Sequence, residues 1–190
     1  MLKRWLYVLP GLFILLLASC GSANNATLPT QVAGTTVYIN KSADSKYSST
    51  VRFTLAGGAN GSYTVKSATA LSMLRHGHKE FTLDVTQANK VIFLAFYGYH
   101  GPATYKLAGT LDGGDVHIAL GNNASWDLSA QTGAQCLLTI SSDTPTTSLG
   151  VDHMTGSFSC SQLLTSNPTN QQPPIKVEQG TFTIAMLVVN

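Results

Sequence analysis

Apolar residues in this chain come in short runs of period two, broken every few residues by glycine, asparagine or proline. Val51, Phe53 and Leu55 alternate with polar neighbours, as do Tyr63 with Val65 and Phe81 with Leu83 and Val85. That period places the apolar side chains on one face of a strand. Gly57-Gly58-Ala59-Asn60-Gly61 separates the first two runs, and Asn60-Gly61 predicts a hairpin with a type I′ turn, in which both central residues take positive φ. Further strands are expected at 36–40, 136–141, 152–160 and 181–189. A second hairpin is expected where Asp112-Gly113-Gly114 joins 105–111 to 116–120. Residues 90–99 are almost continuously apolar or aromatic, the pattern of a strand covered on both faces. One segment, 68–75, reads as a short helix, with Ser67 as its N-cap and Gly77 as its stop, in competition with a strand. Short strands with regular turn signals and no sustained helical period give an all-β fold. The expected architecture is an antiparallel β-sandwich, immunoglobulin-like or jelly-roll-like, with room for one short helix near 68–75. An immunoglobulin domain proper would set a core tryptophan between its cysteines, whereas Trp126 precedes both Cys136 and Cys160.

Gly156-Ser157-Phe158-Ser159-Cys160 and Gly180-Thr181-Phe182-Thr183-Ile184 repeat one order of residue types. They read as two strands of one sheet, with Phe158, Cys160, Phe182 and Ile184 turned inward. Between them, 161–179 is expected to be a long polar loop, because it holds Asn167-Pro168 and Pro173-Pro174.

The N-terminus sets a different kind of constraint. Lys3 and Arg4 precede an apolar run of about 13 residues from Trp5 to Leu17, too short for a membrane span, which takes roughly 20. Leu17-Ala18-Ser19-Cys20 follows and resembles a bacterial lipobox. The resemblance implies cleavage before Cys20 and fatty acylation at that residue, hence an extracytoplasmic protein anchored to a bacterial membrane. On that reading 1–19 is a signal peptide, 20–34 a flexible tether and 35–190 a single domain. Gly98-Tyr99-His100-Gly101-Pro102-Ala103-Thr104-Tyr105 is in turn similar to the Gly-Tyr-x-Gly-Pro-Gly-Thr-Tyr turn of small bacterial β-sandwich lipoproteins, with Ala103 replacing a glycine. That resemblance implies a fold and no activity.

Loss of Lys3 and Arg4 leaves nine basic residues against nine acidic ones, a formal charge of zero. No cluster of Lys or Arg remains to follow a phosphate backbone, which argues against nucleic acid as a partner. With Cys20 assigned to lipid, Cys136 and Cys160 are left as a disulfide pair for an oxidising compartment, closing a loop of about 25 residues. A free thiol nucleophile or a metal pair is the weaker alternative, since neither cysteine has a Cys-x-x-Cys partner.

Motifs for catalysis are sparse. No Gly-x-Ser-x-Gly elbow and no glycine-rich phosphate loop before a helix occurs, so no catalytic residue and no cofactor is assigned. His76 and His78, two apart, would share one face if they lay on a strand and are the weak candidates for a metal, although the leading reading of His76-Gly77-His78 is a solvated turn. A third ligand would have to come from His100, His117 or His153 through the fold. Asp112, Asp115, Asp127 and Asp152 lie outside any calcium-loop pattern. Of the aromatic residues Phe93, Phe96, Tyr97, Tyr99, Tyr105 and Trp126, which offer the richest contact chemistry, Phe93 and Phe96 are read as core. Tyr97, Tyr99, His100, Tyr105 and Trp126 form the candidate binding surface for an envelope glycan or protein. The function expected is a lipid-anchored, non-enzymatic binding module of the cell envelope. The second expectation is an envelope hydrolase whose site is assembled only in the fold.

Overall fold

A computed structural model describes residues 47–68, 71–110, 113–121, 124–166 and 171–190, with the backbone of 29–32 and 35–38. Cys20 and Asp112 lie outside the described residues. The chain divides into two units, Met1–Lys41 and Ser42–Asn190. In the first, β1 (Pro29–Val32) pairs antiparallel with β2 (Thr35–Tyr38) as a two-stranded sheet. The strand expected at 36–40 is therefore β2, and β1 falls within the segment read as a tether.

The second unit is built from β3 (Ser49–Gly57), β4 (Gly61–Ser67), β5 (Ser72–Arg75), β6 (Glu80–Gln87), β7 (Lys90–Tyr97) and β8 (Thr104–Leu107), followed by β9 (Asp115–Leu120), β10 (Ser125–Asp127), β11 (Cys136–Pro145), β12 (Val151–Thr165) and β13 (Ile175–Val189). Their order is β4-β3-β13-β5-β6-β7-β9-β10-β12-β11-β8, and β12 also pairs with β13. The long β12–β13 hairpin thus serves two layers. Along one edge of β13, Ile175–Thr183 pairs with β3 and Met186–Val189 with β5. Along one edge of β12, Asp152–Cys160 pairs with β11 and Leu164–Thr165 with β10. One layer is β4-β3-β13-β12-β11-β8 and the other β5-β6-β7-β9-β10, so the all-β, sandwich-like class holds. The sheet is mixed rather than purely antiparallel, since β5 runs parallel to β13.

Between the layers lies one apolar core. Phe81, Leu83, Val85, Ile92, Leu94 and Phe96 fill it from β6 and β7, against Phe53, Phe158 and Phe182 from the opposite layer. The disulfide Cys136–Cys160 crosses β11 and β12 at directly facing positions within this core. Phe158 and Phe182 point inward as the sequence echo implied. Phe158 stands opposite Gly180 and Phe182 opposite Gly156, so each ring lies over the bare Cα of its partner strand.

Several local expectations are corrected. In the segment 68–75 the strand alternative takes the described end: Ser72–Arg75 is a strand whose Leu74 is buried. The Ser72 hydroxyl accepts the Asp84 backbone N–H at 3.0 Å, a bond that fits the sheet pairing, and tertiary pairing overrides helix propensity. Asn60 has no positive φ, and the turn is not the two-residue type I′. Instead the Asn60 side chain accepts the Gly57 N–H at 2.9 Å, and Gly58 donates its N–H to the Pro174 carbonyl. A Cβ at Gly58 would lie 2.0 Å from the Pro173 carbonyl oxygen, so docking on the prolines shapes this turn. β8 and β9 do not form the second expected hairpin; β8 leaves for β11 and β9 pairs with β7 and β10. The polar loop is shorter than 161–179, because β12 runs to Thr165 and β13 starts at Ile175. Finally, β7 is covered on one face only. Ile92, Leu94 and Phe96 are buried, whereas Phe93 and Ala95 are half-buried and Tyr97 is 58% exposed.

Candidate functional site

The half-open face of β7 is the floor of a cavity of about 650 Å³. Its chemistry follows from register. Residues directly opposite one another on paired strands share a face with their side chains close together. Asp84 pairs with Phe93, Phe93 with His117, and His117 with Asp127, which gives one row across β6, β7, β9 and β10. Thr82, Ala95 and Asp115 make the next row, and Arg75, Glu80 and Tyr97 the third. Ala95, the smallest of these side chains, sits between Phe93 and Tyr97 on the same strand face. Two aromatic residues therefore flank a gap, with their Cα atoms about 13 Å apart by strand geometry. Gly109, Thr110 and Gly114 border the cavity at one end.

Two of its acidic groups are already engaged. Arg75 donates to Glu80 at 2.9 Å. His117 Nδ1 is bonded to Asp127 Oδ1. That hydrogen bond raises the His117 pKa above the ordinary histidine value. Burial opposes the rise, and the charges of Asp127 and Asp115 add to it. Asp115 accepts the Val116 N–H at 2.7 Å and is otherwise an exposed carboxylate on the cavity wall. Among the described residues that line the cavity none is Lys or Arg. The cavity thus offers aromatic faces, carboxylate acceptors and one imidazole that holds its proton more tightly than usual.

Only Tyr97 of the expected aromatic surface belongs to this site. Tyr99, Tyr105 and Trp126 are buried, at 5, 8 and 1% exposure, and are core residues rather than a contact surface. Tyr99 stacks between Phe81 and Tyr105, while the Trp126 indole N–H donates to the Pro173 carbonyl at 3.1 Å, which satisfies its polar edge inside the fold. His100 is exposed, with its ring bonded to the Gly98 carbonyl, and Tyr105 accepts its backbone N–H. The Gly98–Tyr105 turn is thus held by its own tyrosine. His76 and His78 occupy an exposed 3₁₀ turn. Among the described residues no group of three or more His, Cys, Asp or Glu is placed to hold a metal ion.

A second polar cluster lies on the inward face of β11 and β12. A bulge between Ile140 and Ser142 turns Asp143 to the face that carries Cys136, Leu138 and Ile140. Tyr99 donates to Asp143 Oδ2 at 2.6 Å, and Asp143 Oδ1 is buried. Burial first, and then the neighbouring Asp143 carboxylate, raise the Asp152 pKa, while His76 lowers it.

What sequence reading missed is the assembly of Phe93, His117, Asp127, Asp115 and Glu80. His117, Asp115 and Asp127 each stood out singly, but only the pairing of β7, β9 and β10 brings them to one face. The one available signal was the apolar run of β7, whose odd-numbered residues are surplus to a single core. No family model, no curated protein and no solved structure matches this chain.

Proposed function

We propose that this protein is an extracytoplasmic binding module, anchored through lipid at Cys20, that holds an envelope ligand in the groove over β7. The observation that carries the reading is Tyr97, a large aromatic residue 58% exposed on the wall of the cavity, where the other tyrosines compared with it are buried. A concave site with aromatic walls and a few converging polar groups is the usual form of a small-ligand pocket. A zero formal charge after signal removal, and carboxylates without Lys or Arg in the lining, favour a neutral or cationic ligand.

A second reading is supported by one observation, the His117–Asp127 pair on the cavity wall. In an envelope hydrolase Asp127 would orient the imidazole and His117 would act as general base. The upward shift of its pKa weighs against that role at neutral pH, since it leaves less of the ring in the basic form.

The test is cosedimentation of the full-length protein with isolated envelope polysaccharide and envelope protein fractions. Tyr97→Ala is expected to weaken retention about tenfold or more with an unchanged melting temperature, because its ring lies outside the core. Retention that is equal in the wild type and Tyr97→Ala overturns the groove as the binding site. Turnover of an envelope substrate that disappears in His117→Gln favours the hydrolase.

A further inference from the structure

The geometry points to a saccharide as the occupant of the groove: we infer that an uncharged pyranose ring sits over Ala95 between Phe93 and Tyr97, with its hydroxyls on Asp115 and the His117–Asp127 pair. The inference rests on the groove being a binding site and adds the chemical class of its ligand.

Three observations converge on that class. First, Ala95 leaves a gap bounded along the strand by two aromatic side chains, with Thr82 and Asp115 as its cross-strand neighbours. The separation of about 13 Å between the aromatic Cα positions leaves room for a flat ring between the two side chains. A pyranose has an apolar face of axial C–H bonds and an edge of equatorial hydroxyls. Its C–H bonds carry partial positive charge and suit the electron-rich face of Tyr97 or Phe93. Second, the groups at the edge of the gap are suited to hydroxyls. The Asp115 carboxylate accepts from an O–H, and the His117 imidazole has a second ring nitrogen beyond the Nδ1 committed to Asp127. Third, the charges discriminate. Glu80, Asp115 and Asp127 line the cavity with no Lys or Arg among its described residues, and the Arg75 guanidinium is bound to Glu80. With three carboxylates against the one imidazole of His117, which is already bonded to Asp127, a carboxylate-bearing sugar would meet net like charge there, whereas a neutral sugar meets acceptors.

The volume fits as well. About 650 Å³ lies within the range of pockets that enclose small organic molecules and exceeds what one hexose fills, so a short oligosaccharide is accommodated. Ala95 then becomes the residue that sets ligand shape. A larger side chain at this position occupies the place of the ring.

The experiment is titration calorimetry of the full-length protein in a detergent without sugar headgroups, with cellotriose, maltotriose, triacetylchitotriose and trigalacturonate. At least one neutral trisaccharide is expected to bind, with trigalacturonate weaker by about tenfold or more. Ala95→Leu is expected to abolish binding, Tyr97→Ala to weaken it about tenfold, and Tyr97→Phe to retain it, since the ring face is kept. Tyr97→Phe serves as the control should Ala95→Leu fold poorly. The inference is overturned if no neutral trisaccharide binds, if trigalacturonate binds equally well, or if Tyr97→Ala and Tyr97→Phe behave alike. Tyr97-dependent retention on an envelope protein fraction, without sugar binding, would remove the saccharide and leave the groove standing as a binding site.

Discussion

Asp152 is the residue whose ionisation the fold resists. Its neighbours are the Asp143 carboxylate, the Tyr99 hydroxyl that donates to Asp143, and His76. Its folded pKa lies above the unfolded value, so the protonated form contributes stability at low pH, and that contribution is lost as pH rises through the folded pKa. Asp152→Asn replaces the titrating O–H by a permanent amide donor. Thermal denaturation from pH 4 to pH 7 is expected to show the wild type losing stability through this window relative to Asp152→Asn, with the variant the more stable at pH 7. Parallel curves for the two proteins would mean that Asp152 does not titrate against Asp143. His117 follows the same sign: the stability from its raised pKa is fully present below the ordinary histidine value and is lost as pH rises through the folded one. Tyr99, driven upward by burial first and then by Asp143, stays neutral throughout and serves as a fixed donor.

The β12–β13 hairpin is the element on which both layers depend, and its two strands are fitted by exchange of a ring for a hydrogen. A Cβ at Gly180 would lie 2.3 Å from Phe158 Cε1, a side-chain atom that can move. A Cβ at Gly156 would lie 2.4 Å from Phe182 Cζ but also 2.1 Å from the Thr139 carbonyl oxygen of β11, which cannot move without breaking a sheet pairing. Both alanine substitutions are expected to destabilise, Gly180→Ala by about 1–3 kcal/mol and Gly156→Ala by more. Phe158→Leu should recover part of the loss in Gly180→Ala, whereas Phe182→Leu should not rescue Gly156→Ala. Denaturant midpoints of the two double variants measure this, and equal rescue would show that the β11 carbonyl is not the obstacle. The repeated Gly-x-Phe order made these strands legible, as did period-two alternation for β3, β4 and β6. What the sequence did not disclose arose from distant partners. Ser72–Arg75 became a strand because β6 and the end of β13 flank it, and β7 kept an open face because none of the described strands covers Phe93, Ala95 and Tyr97. The buried tyrosines were misread for a related reason, since nothing local reveals that Tyr99 has Asp143 as a partner 44 residues away. Candidate site residues were legible as types, and their grouping was written in the register.

At the scale of the whole molecule the proposed anchor and the groove are separate functions of separate segments. The groove belongs to Ser42–Asn190, and Cys20 lies in the sequence before it. With zero formal charge once Lys3 and Arg4 are removed, the proposed residence at a bilayer would rest on hydrocarbon rather than on charge. Each buried CH₂ of an acyl chain contributes about 0.8 kcal/mol. One chain alone binds marginally, while two or three hold a protein firmly. Cys20→Ala is therefore expected to abolish incorporation of labelled fatty acid and to shift the protein out of the membrane fraction or leave it as uncleaved precursor. Its groove should be unaffected, because no side chain that lines the cavity is changed. Fatty-acid labelling with membrane fractionation reads the first effect, and ligand titration of the purified Cys20→Ala protein reads the second. Normal labelling of Cys20→Ala would remove the basis for the anchor and leave the binding site intact. Normal labelling of the wild type together with lost binding in Cys20→Ala would show instead that lipid and groove act as one device.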